Sequence, residues 1–297
     1  MPTSRRMRVL IAIDGSAAAR TAIDVAMKLP WPDSVRVHGV VALRAGYAAL
    51  RSRELDAALD ASLRHAADSA RALLGSRWDG AEVTILDEAP LDAILGEARR
   101  TRADVIALGW RGHGRFQRLL AGSVSRAVAA NADCSVLVAR TAPASVTRFV
   151  IGYDGGPNSR RAVSLLSRLE PGRGNRAVLV KVVEPVDKLP ARAARLPRGV
   201  RATLRQELAA LNARRCEAAQ AELDTAAGRL KTSGWSTETE IRTGYPLPVL
   251  LSATRAHRAD VLVVGAREAG GVKRALLGSV AEGALNSSRL PVLLVRS

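Results

Sequence analysis

The two halves of this chain repeat the same landmarks in a constant register, and this repeat constrains the fold more than any other feature. A proline that starts a helix, an apolar run that ends in glycine, and a Gly-Ser pair that opens a helix all occur twice. The pairs are Pro90 and Pro246, Asp104 and Asp260, Gly109 and Gly265, Gly122 and Gly278, and Val136 and Val292, each 156 positions apart. So many landmarks at one spacing indicate a tandem duplication. We therefore expect two copies of one structural unit.

Within each copy, strand-like apolar runs alternate with helical patterns. In the first copy the patterns predict strands at residues 8–14, 35–43, 82–86, 103–108 and 136–139, and helices at residues 17–29, 52–74, 90–101 and 123–131. This alternation predicts βαβ units and a parallel sheet, which places the chain in the α/β class. A short linker at Thr141–Ser145 separates the predicted domains, residues 1–141 and 146–297.

The first strand of each copy ends in an acid, Asp14 or Asp154, and these two positions are only 140 apart. The second copy therefore carries about 16 extra residues ahead of its third strand. Two prolines and several arginines favour an extended loop around Lys188–Leu208, before a long helix predicted over Leu204–Leu230.

A glycine-rich segment links the fourth strand of the first copy to its last helix. Gly109 ends the strand, Gly112 follows, and Gly122-Ser123-Val124-Ser125 opens the helix. Ligands of open α/β sheets bind at this strand edge, and the first N–H groups of a helix favour anions. The glycines allow close backbone approach, and the hydroxyls of Ser123 and Ser125 add donors. The segment indicates a phosphate-binding loop; the alternative is a structural connection without a ligand.

The spacing Gly109-x2-Gly112-x9-Gly122-Ser123 resembles the nucleotide-binding signature of the universal stress protein family. Asp14-Gly15-Ser16 after the first strand and the Pro90-started helix fit the same pattern, and the resemblance covers both copies. It implies a five-stranded parallel sheet of order 3-2-1-4-5 in each domain. It also implies that the two domains pair through their last strands as a pseudo-dimer, while association of two chains stays open.

The resemblance further implies that the protein binds ATP, with Mg²⁺ possible on its phosphates. Asp14 and the backbone of Ala12 would contact the ribose and adenine, and the main chain of Val40 would meet the adenine. The remaining residues implied for the first copy border the ribose or the phosphates: Gly109, Gly112, Gly122, Ser123, Val124 and Ser125. His113 lies in the same loop and either contacts a phosphate or is an exposed loop histidine. The matching positions of the second copy are Asp154, Val182, Gly265, Gly278, Ser279 and Val280.

The second copy departs from the signature at two positions. Glu268 replaces Gly112, which brings a carboxylate to the phosphates and a side chain to a turn that favours glycine. Ala281 replaces Ser125 and removes a hydroxyl. Nucleotide binding by the second copy is therefore an open question. For Asp14 and Asp154 the alternative role is that of a turn acid that caps a helix.

Motifs of several enzyme classes are absent from the sequence. It contains no G-x-x-x-x-G-K-[ST] loop, no G-x-G-x-x-G after the first strand, no G-x-S-x-G and no H-E-x-x-H. No base for activating water at the γ-phosphate is identifiable, so we expect hydrolysis to be slow or absent. No His/Asp/Glu cluster predicts a metal site.

Charge and composition restrict the partners. The formal net charge is +17, but aromatic residues make up only 3% of the chain and are not interleaved with the arginines, so nucleic acid is not the expected partner. No apolar run predicts a membrane span, and no secretion signal is recognised. Two distant cysteines, Cys134 and Cys216, fit a reducing compartment.

Together these features favour a cytoplasmic stress-response protein that binds ATP and acts as a nucleotide-dependent regulator or chaperone-like partner. Two alternatives stay open. One is an interaction scaffold that binds no nucleotide. The other is a weak ATPase or an adenylyl-transfer relative built on the same kind of sheet.

Overall fold

The computed structural model describes residues 6–42, 53–110, 123–186, 197–266 and 277–296. Strands and helices alternate in the predicted order in both halves. The first half contains β1 (Arg8–Ile13), α1 (Ala17–Lys28), β2 (Arg36–Ala42), α2 (Arg53–Gly75), β3 (Glu82–Leu86), α3 (Pro90–Thr101), β4 (Val105–Gly109), α4 (Ser123–Asn131) and β5 (Ser135–Ala139). The second half contains β6 (Arg148–Gly152), α5 (Pro157–Leu166), β7 (Arg176–Val183), α6 (Arg198–Thr232), β8 (Ser236–Thr243), α7 (Pro246–Ala256), β9 (Val261–Gly265), α8 (Ser279–Ser287) and β10 (Val292–Val295).

Three helices begin where the sequence provides a start signal. Ser16 caps α1, because its hydroxyl oxygen accepts a hydrogen bond from the backbone N–H of Ala19 at 3.1 Å. Pro90 and Pro246 occupy the first positions of α3 and α7, where a missing N–H costs no helical hydrogen bond.

The ten strands form one continuous sheet in the order β3-β2-β1-β4-β5-β10-β9-β6-β7-β8. Each half therefore has the predicted order 3-2-1-4-5, and all pairings within a half are parallel. The halves join where β10 pairs with β5 in the antiparallel sense, with Leu293 opposite Leu137. The predicted pairing of the two domains through their last strands is confirmed.

Repeat-equivalent residues reach across this junction. Arg140 donates hydrogen bonds to the carbonyls of Leu285 and Asn286 at the end of α8. Its equivalent, Arg296, donates to the carbonyls of Ala130 and Ala132 at the end of α4, at 3.1 and 3.0 Å. Each half thus provides an arginine for the last carbonyls of a helix in the other half, where a helix lacks internal donors. The junction has an internal pseudo-twofold symmetry.

The sheet is covered by helices on both faces, and each face has its own apolar core. On one face, α1, α2, α5 and α6 pack on side chains such as Ile11, Ile151 and Leu179. On the other face, α3, α4, α7 and α8 pack on side chains such as Leu10, Ile106 and Val150. Neighbouring residues of a strand point to opposite faces, so the side chains of β1 and β6 are divided between the two cores. Asp14 and Asp154 come directly after these strands.

The location predicted for the extra residues of the second copy was partly wrong. The long helix α6 begins at Arg198, so residues 198–208 are helical and do not belong to a loop. With 35 residues against 23 in α2, α6 takes up much of the added length. Residues 187–196 lie outside the described residues. Within residues 198–208, arginine and leucine favour a helix, and this preference outweighed the turn signals read from the prolines.

Candidate functional site

The predicted nucleotide-contacting residues of the first three elements lie at one edge of the sheet. Ala12 pairs with Val40 in the register of β1 and β2, and β1 also pairs with β4. Ala12 is half-buried, Val40 is buried, and Asp14 is exposed beyond the end of β1. The Asp14 carboxylate accepts a hydrogen bond from the backbone N–H of Ser16 at 3.0 Å. This bond shows the local turn role considered as the alternative for Asp14, while the exposure leaves the carboxylate accessible.

Gly109 is required by packing at the end of β4. A Cβ at this position would overlap the backbone carbonyl of Ala18 in the first turn of α1. The equivalent Gly265 is in the same situation, since its Cβ would lie 2.9 Å from the carbonyl carbon of Asn158 in α5. These glycines therefore allow the helix to approach the strand end, whether or not a ligand also comes close there.

The start of α4 is tied to the end of β4. The Ser125 hydroxyl donates a hydrogen bond to the carbonyl oxygen of Gly109 at 2.7 Å, and Ser125 is buried. The Ser125 hydroxyl therefore positions the start of α4 in this structure, and contact of Ser125 with a phosphate stays a prediction. Ser123 is exposed at the first position of the helix, and Val124 packs partly on the core beside α3 and α4.

The remaining predicted residues of the loop, Gly112, His113 and Gly122, lie outside the described residues. Immediately before them, Trp110 donates its backbone N–H to the carbonyl of Ala139 at 2.8 Å. The Arg140 guanidinium lies over the Trp110 ring, 4.4 Å from its centroid, which is a cation–π arrangement. Sequence reasoning missed this contact. Arg140 and Arg296 are 156 positions apart, like the other landmarks of the repeat, and this could have drawn attention to Arg140.

The second half presents the corresponding edge with its own differences. Asp154 is exposed, and its carboxylate accepts hydrogen bonds from the Gly156 N–H at 2.8 Å and the Ser159 hydroxyl at 2.7 Å. These bonds stabilise the start of α5. Gly278 is the N-cap of α8, Ser279 is exposed as its first residue, and Val280 packs partly on the core.

The predicted equivalence of Val40 and Val182 was wrong. The strand register pairs Gly152 with Val180, as it pairs Ala12 with Val40. Val180 is therefore the counterpart of Val40, and Val182 lies two residues further along β7, opposite Arg242. The offset of 140 between Asp14 and Asp154 gives the same result, since it also relates Val40 to Val180.

The described residues contain no group of three or more His, Cys, Asp or Glu side chains placed to hold a metal ion. Cys134 is unsuited to nucleophilic chemistry, because burial, together with the charges of Asp133 and Asp104, raises the pKa of its thiol to about 12. Within the same part of the chain, no helix is both long enough and apolar enough to cross a membrane.

These features define a tandem α/β protein. In both halves a glycine ends the fourth strand against the first helix, and a short helix precedes the last strand. The model of the universal stress protein family matches residues 5–140 and 145–296. The chain belongs to the universal stress protein family. It is 27% identical over 207 residues to Universal stress protein Rv2005c of Mycobacterium tuberculosis, a match that spans 65% of this chain and 62% of that relative. A shorter match, 34% identical over 71 residues, is to Stress response protein NhaX of Bacillus subtilis and spans 24% of this chain and 43% of that protein.

Solved structures show the same fold over the whole chain. A universal stress protein from Archaeoglobus fulgidus DSM 4304 superposes with a TM-score of 0.68 at 18% identity, covering 99% of both chains. A putative universal stress protein from Pseudomonas aeruginosa UCBPP-PA14 gives a TM-score of 0.58 at 17% identity, covering 98% of this chain and 93% of that one. At these identities the likeness concerns the fold.

Proposed function

We propose that the first half of this protein binds ATP at the carboxyl edge of β1 and β4, and that the protein acts as a nucleotide-dependent regulator in a stress response. One observation carries the proposal. The Ser125–Gly109 hydrogen bond holds the first turn of α4 against the end of β4, beside β1, which Asp14 follows. The amino terminus of a helix at this edge favours a phosphate group.

The residues at this edge fit the parts of ATP. The exposed Asp14 carboxylate is an acceptor for ribose hydroxyl groups, and neighbouring backbone at Ala12 and Val40 suits the adenine. Ser123 and Val124 open the helix at the place where the signature residues Gly112 and Gly122 would bring the phosphates. A Mg²⁺ ion would be carried by the phosphates themselves, as is usual for this ion.

For the second half we propose weaker binding. Ala281 stands where the first half has Ser125, so α8 lacks the hydroxyl that fixes α4 to its strand. Glu268, the counterpart of Gly112 in the repeat, would add a negative charge to the segment that precedes α8.

A regulatory role is supported by the contacts next to the site. Trp110 follows Gly109 directly and stacks on Arg140, and Arg140 reaches the carbonyls at the end of α8. A ligand that shifts the position of the loop would therefore act on the junction of the two halves. A ligand changes such an equilibrium only through its different affinity for the two states.

The test is the nucleotide carried by the purified protein, identified by mass spectrometry after denaturation, in two matched variants. Gly122→Asp places a carboxylate at the start of α4, and Gly278→Asp makes the same change at the start of α8, where the extended N-cap backbone accepts Asp. We expect ATP with the wild type and with Gly278→Asp, and its loss with Gly122→Asp.

ATP retained at wild-type level by Gly122→Asp would contradict the site assignment. A wild-type protein that neither carries ATP nor takes it up would favour the scaffold alternative. Steady-state phosphate release that disappears when one acidic residue is replaced would favour the weak ATPase.

A further inference from the structure

A cavity lies in the second half, on the face of the sheet covered by α5 and α6. Its volume is about 400 Å³, which is within the usual range for small-molecule sites. It is lined by Tyr153, Gly155, Arg160 and Val163 around the start of α5, and by Glu222, Thr225, Ala226 and Arg229 of α6. The cavity is separate from the ATP site proposed for the first half, and it lies next to Asp154 of the weaker site proposed for the second half.

The duplication provides an internal control for this cavity. A Cβ at position 15 would contact Ala66 of α2, and a Cβ at position 155 would contact Glu222 of α6. The helices α2 and α6 therefore pack in the same way against the turns that follow β1 and β6. At these equivalent positions the first half has apolar side chains and the second half has polar ones. The changes are Ile13 to Tyr153, Val41 to Lys181, Ala66 to Glu222 and Leu73 to Arg229. The second half is thus more polar at these four positions, whereas Arg160 has an equivalent arginine, Arg20, in the first half.

The polar groups of the cavity are incompletely paired among themselves. Glu222 forms an ion pair with Lys181 at 2.6 Å. The pair occupies the space that a Cβ at position 155 would take. Arg160 and Arg229 form no ion pair with any carboxylate of the described residues. Two guanidinium groups therefore remain available to a ligand.

Tyr153 is the most informative of these residues. It is only 8% exposed, and within the described part of the chain its hydroxyl makes no hydrogen bond. Arg160, Glu222 and Arg229 line the same cavity as Tyr153, and burial raises the pKa of the Tyr153 hydroxyl, so this group stays protonated at neutral pH. The hydroxyl is therefore a hydrogen-bond donor for a molecule in the cavity.

We propose that this cavity binds a small hydroxylated phosphate monoester. A phosphate monoester carries a charge between about −1.5 and −2 at pH 7, which matches the two guanidinium groups, and guanidinium groups bind phosphate oxygens in pairs. The Tyr153 hydroxyl donates to a third oxygen, and the Glu222 carboxylate accepts from a hydroxyl group of the ligand. Val163 and Ala226 contact the carbon skeleton. This site goes beyond the proposed ATP function and does not depend on it.

Isothermal titration of the full chain with glycerol 3-phosphate tests the proposal. Arg229→Leu restores the residue type of the first half, and Tyr153→Phe removes only the hydroxyl. Arg205→Leu is the matched control, because it removes the same charge from an exposed position of the same helix. We expect Arg229→Leu and Tyr153→Phe to weaken binding about tenfold or more, and Arg205→Leu to leave it within about twofold.

Further measurements separate the possible failures. Gly122→Asp should bind glycerol 3-phosphate like the wild type even if it loses ATP. Glycerol should not compete, and inorganic phosphate should compete more weakly than glycerol 3-phosphate. The proposal is overturned if the wild type shows no binding at millimolar glycerol 3-phosphate, or if Arg229→Leu and Arg205→Leu weaken binding equally. The latter result would indicate general attraction by the basic surface. Unchanged thermal unfolding of each variant shows that the comparison is made between folded proteins.

Discussion

Gly109 shows at the scale of single residues that one glycine can meet two requirements. Its position at the end of β4 matches a nucleotide-binding signature, yet the first turn of α1 already occupies the space where a Cβ would be. The sequence cannot distinguish a glycine needed by a ligand from one needed for helix packing, because both requirements select the same residue. Gly265 repeats the arrangement against Asn158.

Gly109→Ala should destabilise the protein by about 1–3 kcal/mol, since the added carbon overlaps the backbone of α1 and forces it to move. Gly96→Ala is the control, because the space around Gly96 in α3 is open and alanine favours a helix. Unfolding by urea, followed by circular dichroism, measures both. A Gly109→Ala protein as stable as the wild type would contradict the close approach of α1.

A buried carboxylate makes the first half sensitive to acid. Glu97 is 2% exposed, binds Arg100 at 2.6 Å and lies 2.7 Å from Nε2 of His38. The hydrogen bond and charge of Arg100, helped by His38 and Thr84, lower the pKa of Glu97 below its ordinary value of 4.5 despite burial. The ionised carboxylate therefore stabilises the fold above pH 4.5, and this contribution is lost as the pH falls through the lower pKa of the folded state.

Glu97→Gln should cost about 1–3 kcal/mol at pH 7, and the difference from the wild type should shrink below pH 4.5. Thermal unfolding as a function of pH measures this. Glu82→Gln serves as the control, because the Glu82 side chain is 82% exposed and lies 4.0 Å from His38. A difference between Glu97→Gln and wild type that is the same at pH 3 and pH 7 would contradict the assignment.

At the scale of elements, α6 is the main difference between the two halves. It is 35 residues long, whereas α2 has 23. Asn212 of α6 binds Val186, in the segment that follows β7. The Asn212 amide donates to the carbonyl of Val186 at 3.2 Å, and its oxygen accepts from the Val186 N–H at 3.1 Å. Arg215 adds a bond to the carbonyl of Glu184 at 2.8 Å. These side chains fix the end of the segment that precedes residue 187.

Asn212→Ala should release this segment without unfolding the domain. We expect faster hydrogen exchange at the Val186 amide, by about tenfold, because its only described acceptor is removed. Gln206→Ala, on an exposed position of the same helix, should leave the exchange unchanged. Equal protection of Val186 in the wild type and in Asn212→Ala would show that the clamp does not exist in solution.

Elements with strong local signals were predicted well from sequence. The bounds of α3 and α4 agree with the prediction because Pro90 and the Gly122-Ser123 pair mark their starts. The beginning of α6 was missed, since prolines near residues 190 and 197 suggested a loop where alanine and leucine form a helix. Val180 was missed although the offset of 140 between Asp14 and Asp154 also relates Val40 to Val180, and the pairing of β6 with β7 confirms that equivalence. The hydrogen bond of Ser125 was not predicted, because its partner Gly109 is distant in sequence.

At the scale of the whole molecule, the two halves share one sheet, and an arginine of each half donates hydrogen bonds to carbonyls of the other. Arg296 is 6% exposed and supplies donors to two carbonyls at the end of α4. Arg168 of the second half also binds the buried Asp104 of the first half at 2.9 Å. We therefore expect the wild-type chain to unfold in a single transition, since neither half can lose its last strand without exposing the other.

Arg296→Met should lower the stability by about 2–4 kcal/mol, because it leaves buried carbonyls of the other half without donors. Differential scanning calorimetry should show a lower midpoint and a broader or divided transition. Arg289→Met is the control, since Arg289 is exposed and its side chain makes no bond among the described residues. A single, unshifted transition for Arg296→Met would contradict the coupling of the halves.

The claim that the first half is a nucleotide site is tested most directly by a calorimetric titration of ATP into the intact chain. The account predicts one strong site per chain, with any second site at least about tenfold weaker because of the charge of Glu268. The strong site should vanish in Gly122→Asp and persist in Gly278→Asp. No heat of binding at millimolar ATP, or two sites of equal affinity, would contradict it.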